Sequence, residues 1–338
     1  MVSVQPIKQL PINFDEYVQE IERGLSRLYS PRAGEDYRKK APRLVQATMA
    51  HPQVEALAAY FEPVKQAQQG AGGLLFSIVS GGVGRISFVH VPSSCAGRGV
   101  EERLVEEAVL SLRNKGVQGI VSDYVALCPL TLDACFERLG FHTLPRLLMG
   151  APANVVALSV GEVGESEMYD RTDWLQVADI IVQAYEGHPD RDLHTEVRSR
   201  DRALEFVETA ALGGFGASFP EYGRLIRRQG VPVGSIIGCE VASGVGFVLQ
   251  VAVHPAYQNG GIGGQLVKEL ATSFRDAGLA QIALGVTAAS PARRLYERLG
   301  FATLLRVNAH YWWRRACQGK EMDGNRVAQR RGFHVKNT

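Results

Sequence analysis

The sequence states one structural plan twice. The apolar run 86–92 (Ile-Ser-Phe-Val-His-Val-Pro) enters a Ser/Gly-rich turn, after which Val100, Leu104, Ala108 and Leu112 recur at every fourth position. The run 247–253 enters His-Pro-Ala-Tyr-Gln-Asn-Gly-Gly-Ile-Gly-Gly (254–264), after which Ile262, Leu266, Leu270 and Phe274 keep the same spacing. A four-residue spacing stripes one face of a helix, so each block reads as strand, turn, helix. Each is followed by a segment ending Glu-Arg-Leu-Gly-Phe, at 137–141 and at 297–301. Pro92 and Pro255 are 163 positions apart and Gly140 and Gly300 are 160 apart, so the copies differ by about three residues between blocks. A chain built this way folds as two versions of one unit.

The segments upstream agree. Phe14, Val18, Ile21, Leu25 and Leu28 predict a first helix in one half, and Leu175, Ala178, Val182 and Tyr185 its counterpart in the other. Leu204, Val207 and Ala211 predict a second helix in the later half, and Pro42 is expected to open a short one in the earlier half. Strand-like runs lie at 54–61, 74–79, 223–228, 233–240 and 282–286. The predicted fold class is α/β of the α+β kind, each copy a mixed, mostly antiparallel central sheet flanked by helices.

Composition bounds the partners. A length of 338 residues at 46% hydrophobic is enough for two cores. A net charge of +2 gives no bulk electrostatic reason to bind nucleic acid. Cys95, Cys128, Cys135, Cys239 and Cys317 are scattered, with no metal-knuckle spacing, and read as reduced thiols of a cytoplasmic protein. Residues 1–14 have no apolar core of signal-peptide length, and no run is long enough to cross a bilayer. No membrane, nucleic-acid or metal partner is expected.

The turn at 254–264 carries the chemistry. A glycine-rich strand-to-helix turn aims several backbone N–H groups at one point, at the positive end of a helix dipole, and the expected guest is a phosphate or pyrophosphate. The spacing is neither Gly-x-Gly-x-x-Gly nor a P-loop. Its order, Gln258-x-x-Gly261-x-Gly263, resembles the pyrophosphate loop of the GNAT superfamily of acyl-CoA-dependent N-acyltransferases. Leu-Tyr-Glu-Arg-Leu-Gly-Phe at 295–301 resembles that family's last core helix, and the resemblance covers roughly 160–315. It implies two tandem GNAT-like domains: 1–150, degenerate, and 166–316, active. These are joined by a connecting strand at 151–165 and followed by a polar, basic tail at 317–338.

The resemblance also implies site residues. Gln258, Asn259, Gly260, Gly261, Ile262, Gly263 and Gly264 would hold the pyrophosphate of acetyl-CoA, the expected cosubstrate. The backbone of Val251, Ala252 and Val253 would pair with its pantetheine arm, and Ser290 stands where the family often has Asn. Tyr296 is the expected general acid. Glu240 is a candidate base, because family members often use a carboxylate on the central strands, where Gln250 cannot serve. The loop 186–194 is a second source, with His188, Asp190, Asp192 and His194; His254 precedes Pro255 at a strand end and is a weak candidate.

The earlier copy keeps the scaffold and lacks the chemistry. Ala96 stands at the position of Gln258, Gly99 at Gly261, Glu101 at Gly263 and Phe136 at Tyr296. A carboxylate about 5 Å from a phosphate charge repels it by roughly 3 kcal/mol at an effective dielectric near 20. The ring without the hydroxyl, in the copy with the damaged loop, favours a chemical role for Tyr296. The expected function is direct acetyl transfer from acetyl-CoA to a primary amine of a small molecule within a ternary complex. The alternatives are a non-catalytic acyl-CoA sensor or scaffold, and an aminoacyl-tRNA-dependent transferase.

Overall fold

A computed structural model describes residues 2–61, 70–122, 132–157 and 166–314. The tail at 317–338, Cys128, Cys317 and the Gly161–Gly164 connector lie outside the described residues. The first half runs β1 (Val2–Pro6), α1 (Phe14–Leu28), α2 (Pro31–Ala50), β2 (Val54–Phe61), β3 (Gly73–Ser80), β4 (Val83–His90), α3 (Val100–Asn114), β5 (Gly119–Ser122), α4 (Asp133–Arg138), β6 (His142–Pro152) and α5 (Ala153–Ala157). The second runs β7 (Ser166–Met168), α6 (Trp174–Ala184), α7 (Arg200–Ala211), β8 (Gly223–Arg228), β9 (Val231–Ala242), β10 (Val245–Val253), α8 (Ile262–Asp276), β11 (Gln281–Thr287), α9 (Ala292–Arg298) and β12 (Ala302–Trp313). Among the described residues no helix is long and apolar enough to cross a membrane.

The predicted periodicities became these elements, with two corrections: the expected connecting strand at 151–165 turns helical at Ala153–Ala157 once β6 ends at Pro152, and the second concerns Pro42. Pro42 does not open a helix; it lies inside α2. The opening belongs to Ser30 and Pro31. The Ser30 Oγ accepts from the Ala33 N–H at 3.2 Å, and Pro31 sits in the first turn, where its missing N–H costs nothing. Pro42 removes one helical hydrogen bond from a 20-residue helix that the rest of its length sustains.

The fold class is the expected α/β arrangement, and the two copies share one twelve-stranded sheet in the order β1-β2-β3-β4-β5-β12-β6-β11-β10-β9-β8-β7. Each copy sends its last strand to the other. β6 pairs with β11, Pro152 opposite Gln281 through Arg146 opposite Thr287. β12 pairs with β5, His310 opposite Ser122 through Trp313 opposite Gly119. The two travelling strands pair with each other at the centre, Ala302 opposite Gly150 through Tyr311 opposite His142. A sequence boundary near 150 therefore divides the chain but not the sheet.

The cores follow the exchange. Leu147, Met149 and Ala151 of β6, with Ala153 and Val156 of α5, pack among Leu266, Leu270 and Phe274 of α8. Trp312 of β12 packs on the first-half core of Leu104, Val105 and Phe136. Gly119 fits this contact, because a Cβ there would stand 2.2 Å from the Trp313 ring.

Candidate active site

The site begins where two parallel strands part. β10 and β11 pair only from Val245–Gln281 to Val248–Leu284, while β11 continues to Thr287 against β6. The β9–β10 register slips between Val248 and Gln250, leaving Leu249 as a bulge that bends β10 away. Val251, Ala252 and Val253 stay paired with Ile236, Ser235 and Gly234 on one side and, among the described residues, have no strand partner on the other. In the first copy the described β4–β5 pairing runs from Val83–Gly119 to Ile86–Ser122, and Ser87 is the corresponding bulge in β4.

Beyond β10 the chain makes one 3-10 turn at Pro255–Tyr257. The Nδ1 of His254 accepts from the Ala256 N–H at 3.2 Å, so this imidazole caps the turn. The Gln258 side-chain amide donates to the Val253 carbonyl at 3.1 Å and ties the turn to the strand. Asn259 and Gly261 then adopt positive φ, 62° and 85°, and Gly261 is the residue before α8. Among the described residues the backbone N–H groups of 259–264 find no acceptor. The turn is exposed from Pro255 to Gly261. An unfilled row of amides at the start of a 15-residue helix has the donors and the dipole that suit an anion.

In the first copy one amide of the equivalent row is taken from within. Gly97 and Gly99 repeat the positive φ of Asn259 and Gly261, at 71° and 77°. The Gly97 N–H donates to Oε1 of Glu101 at 2.8 Å, and Glu101 is buried. Glu20 in turn takes the Ser93 N–H on both oxygens, at 3.1 and 3.3 Å. Carboxylates of the chain stand where a bound phosphate would accept.

Tyr296 of α9 is 6% exposed and meets Phe301 edge to face, at 5.8 Å between ring centres. Its hydroxyl has no hydrogen bond to another described residue. Burial pushes the phenol up to about 12, against the opposing pull of Arg146. Phe136 repeats the ring contact with Phe141 at 5.1 Å, and its face is covered by His310 at 4.1 Å. Ser290 turns its Oγ to the Ala292 N–H at 3.3 Å, so its hydroxyl serves α9 locally.

Around Tyr296 lies a buried polar cluster drawn from both halves. Tyr185, the residue that ends α6, donates its hydroxyl to Oε1 of Gln250 at 3.0 Å. Burial raises the Tyr185 phenol above its ordinary range, followed in effect by the nearby charges of Glu196, Tyr296 and Asp190, with Arg146 acting oppositely. Those groups therefore face one hydroxyl. Arg146 of β6 reaches His194 Nε2 and Thr287 Oγ1, each at 3.3 Å, and lies 4.0 Å from Asp190 Oδ2. His194 Nδ1 is 2.8 Å from Glu196 Oε1.

Of the loop candidates, His188, Asp190 and His194 come together here. Asp192 does not: its carboxylate pairs with Arg198 at 3.1 Å, and its carbonyl accepts from the Trp313 indole at 2.9 Å. Glu240 is also elsewhere, and the reading of it as base is corrected. It lies opposite Gly246, seven residues before Val253 and so roughly 23 Å back along β10. Its Oε1 accepts from the Gly244 N–H at 3.0 Å and closes the β9–β10 hairpin. Glu240→Gln is expected to leave turnover within twofold and to cost about 0.5–1 kcal/mol of stability, checked by steady-state kinetics and urea unfolding.

Sequence reasoning missed Arg146, Tyr185 and Glu196. Glu196 stands two residues beyond His194, a spacing that lets a carboxylate reach back to an imidazole. Arg146 gave no local signal, because it enters on a strand from the other copy. Among the described residues no group of three His, Cys, Asp or Glu side chains is placed to hold a metal ion.

With this geometry in view, comparison with known proteins is informative. Residues 174–301 match the sequence model of the Acetyltransferase (GNAT) family. No curated protein sequence matches the chain. Among solved structures, a GCN5-related N-acetyltransferase from Sphaerobacter thermophilus is similar at TM-score 0.62 and 16% identity, over 92% of this chain and 95% of that one. A tandem GNAT protein from the clavulanic acid biosynthesis pathway, solved without AcCoA, follows at 0.55 and 13%, over 93% and 98%. A GCN5-related glucosamine N-acetyltransferase region of a fungal multi-domain GH3 β-N-acetylglucosaminidase gives 0.58 and 13%, over 92% of this chain and 38% of that one. At these identities the likeness is one of fold.

Proposed function

Because residues 174–301 form a domain of the acetyltransferase (GNAT) family, within a chain of tandem GNAT fold, we propose that the second half transfers an acetyl group from acetyl-CoA to a primary amine of a small molecule. The observation that carries this reading is the row of unfilled amides at 259–264, at the end of a strand whose β11 side is open. The residues present fit the coenzyme: the amides would take its pyrophosphate, and the free edge of 251–253 would pair with its amide-bearing arm. When bound, the coenzyme supplies an acyl carbon activated toward amines and a thiolate leaving group.

The chain's own residues do the rest. The gap between β10 and β11 holds the two reactants side by side, and orientation of this kind supplies much of the acceleration in a two-substrate site. Tyr296 keeps its proton throughout the physiological range, since its phenol is pushed up to about 12. It is therefore a hydrogen-bond donor to the departing sulfur. Complete proton transfer to a thiolate of pKa near 8.5 is uphill by about 5 kcal/mol, so the hydroxyl stabilises the sulfur mainly through the hydrogen bond. The positive charge of Arg146 reduces the cost of any transfer that occurs.

The first half contributes structure and Arg146 and binds no coenzyme, because Glu101 fills its amide row. Titration calorimetry of the whole chain with acetyl-CoA is expected to give one site per chain, and a panel of primary amines should include one that triggers thiol release. A second site per chain would overturn the assignment of the first half. Absence of binding would overturn the acyltransferase reading.

A further inference from the structure

We infer that His194 is the base that takes the proton of the acceptor ammonium, that Glu196 fixes its tautomer, and that Asp190 and Gln250 select a primary amine with an oxygen acceptor beside the nitrogen. This rests on the acyl-transfer reading above. It adds the proton-accepting side of the reaction and the class of amine.

Hydrogen-bond polarity assigns the tautomer. A guanidinium has only donors, so the 3.3 Å contact from Arg146 Nη1 requires a lone pair on His194 Nε2. The ring hydrogen is then on Nδ1, where it donates to Glu196 Oε1 at 2.8 Å. Burial acts to raise the Glu196 carboxyl, and the hydrogen bond from His194 and the nearby charge of Arg85 act against it, so it remains an acceptor. A carboxylate on one imidazole nitrogen leaves the other as a directed base. The groups against this imidazole are Arg146 from β6, Tyr185 at the end of α6 and Glu196, and Asp190 stands 4.0 Å from the same Arg146 guanidinium. Thr287 offers Arg146 a second acceptor, so the guanidinium keeps a partner when an amine takes its place on Nε2.

Two unsatisfied atoms define the guest. Asp190 is 5% exposed, and its Oδ1 is buried without a hydrogen-bond partner. Gln250 is 4% exposed, and its Nε2 is buried without one. Leaving either group unpaired is unfavourable, and a ligand of opposite polarity removes that cost. An ammonium suits Asp190, and a hydroxyl or carbonyl oxygen suits Gln250. An amino alcohol, amino sugar or amino amide carries both. The ammonium N–H bond breaks, its proton joins the Nε2 lone pair and later passes to solvent, and the amine nitrogen keeps the electron pair with which it attacks.

The test uses the whole chain. Long-range ¹⁵N–¹H spectra of histidine-labelled protein, with the resonance assigned by His194→Gln, are expected to show the Nδ1–H form at neutral pH. Glu196→Gln should lose that form. With ethanolamine and butylamine compared as acceptors, ethanolamine should be preferred at least tenfold in kcat/KM. His194→Gln should lower kcat/KM for the amine by about 100-fold and remove the acid limb of the pH–rate profile, with the coenzyme Kd within twofold. An Nε2–H tautomer in the wild-type chain, or an acid limb that survives His194→Gln, would overturn the assignment. Coenzyme binding by calorimetry on the same samples reports the acyl-transfer reading separately, since the tautomer requires no coenzyme.

Discussion

Gly263→Glu is expected to weaken coenzyme binding by roughly 200-fold while leaving the fold intact. The substitution installs in the second copy the residue that the first copy carries as Glu101. In the first copy that carboxylate accepts the Gly97 N–H at 2.8 Å, and Asn259 is the equivalent amide in the second. The new side chain would compete for the amide row and oppose the incoming phosphates. Each phosphate charge about 5 Å away contributes roughly 3 kcal/mol of repulsion at an effective dielectric near 20, and solvent at the exposed turn reduces this. Half of the total from two phosphates, about 3 kcal/mol, still amounts to roughly 200-fold. Packing does not object, since a Cβ on Gly263 would meet Leu295 and Val253 at 3.7 Å, an ordinary contact. Calorimetry with acetyl-CoA together with a thermal melt distinguishes the outcomes. Unchanged affinity would remove the anion site from the 259–264 turn.

Tyr296→Phe is expected to lower kcat about 1,000-fold, with the KM for coenzyme and the melting temperature nearly unchanged. The molecule contains its own control. Phe136 occupies the equivalent place in α4 and makes the same edge-to-face contact with the phenylalanine five residues on. The ring alone therefore sustains the packing, and the hydroxyl, which has no described partner to lose, leaves no orphan behind. What disappears is the hydrogen bond to the departing sulfur, an effect in the range of acid–base and electrostatic catalysis. A change of kcat below tenfold would transfer the acid's role to another group, with Tyr185 the nearest phenol in the cluster.

Much of this was legible in the sequence because it is encoded locally. The turn 254–264 announced itself through glycines, and positive φ at Asn259 and Gly261 is what those residue types permit. The helices α6 and α8 followed from four-residue spacing, and the loss of Gln258 and Tyr296 in the first copy followed from alignment of the chain with itself. Other features are not local. Pro42 has the residue type of a helix opener, but Ser30 caps α2 twelve residues earlier. Glu240 had the right chemistry on a plausible strand, but pairing with Gly246 puts it at the far end of β10. Arg146 could not be found, because the choice of β11 as the partner of β6 is a contact between positions more than 130 residues apart. Periodicity specifies which face of a strand is buried, and leaves open which sheet it joins.

The exchange of final strands bears on the fate of a duplicated gene. A copy that has given up its ligand and its hydroxyl is ordinarily released to drift or to be lost. On the proposed reading the first copy is inactive, yet it supplies its sibling with a neighbour for β11, several of its core side chains and one guanidinium in the cluster around Tyr296. Its retention follows from what it lends, since deleting it would leave the working copy with an uncovered edge and an unlined pocket.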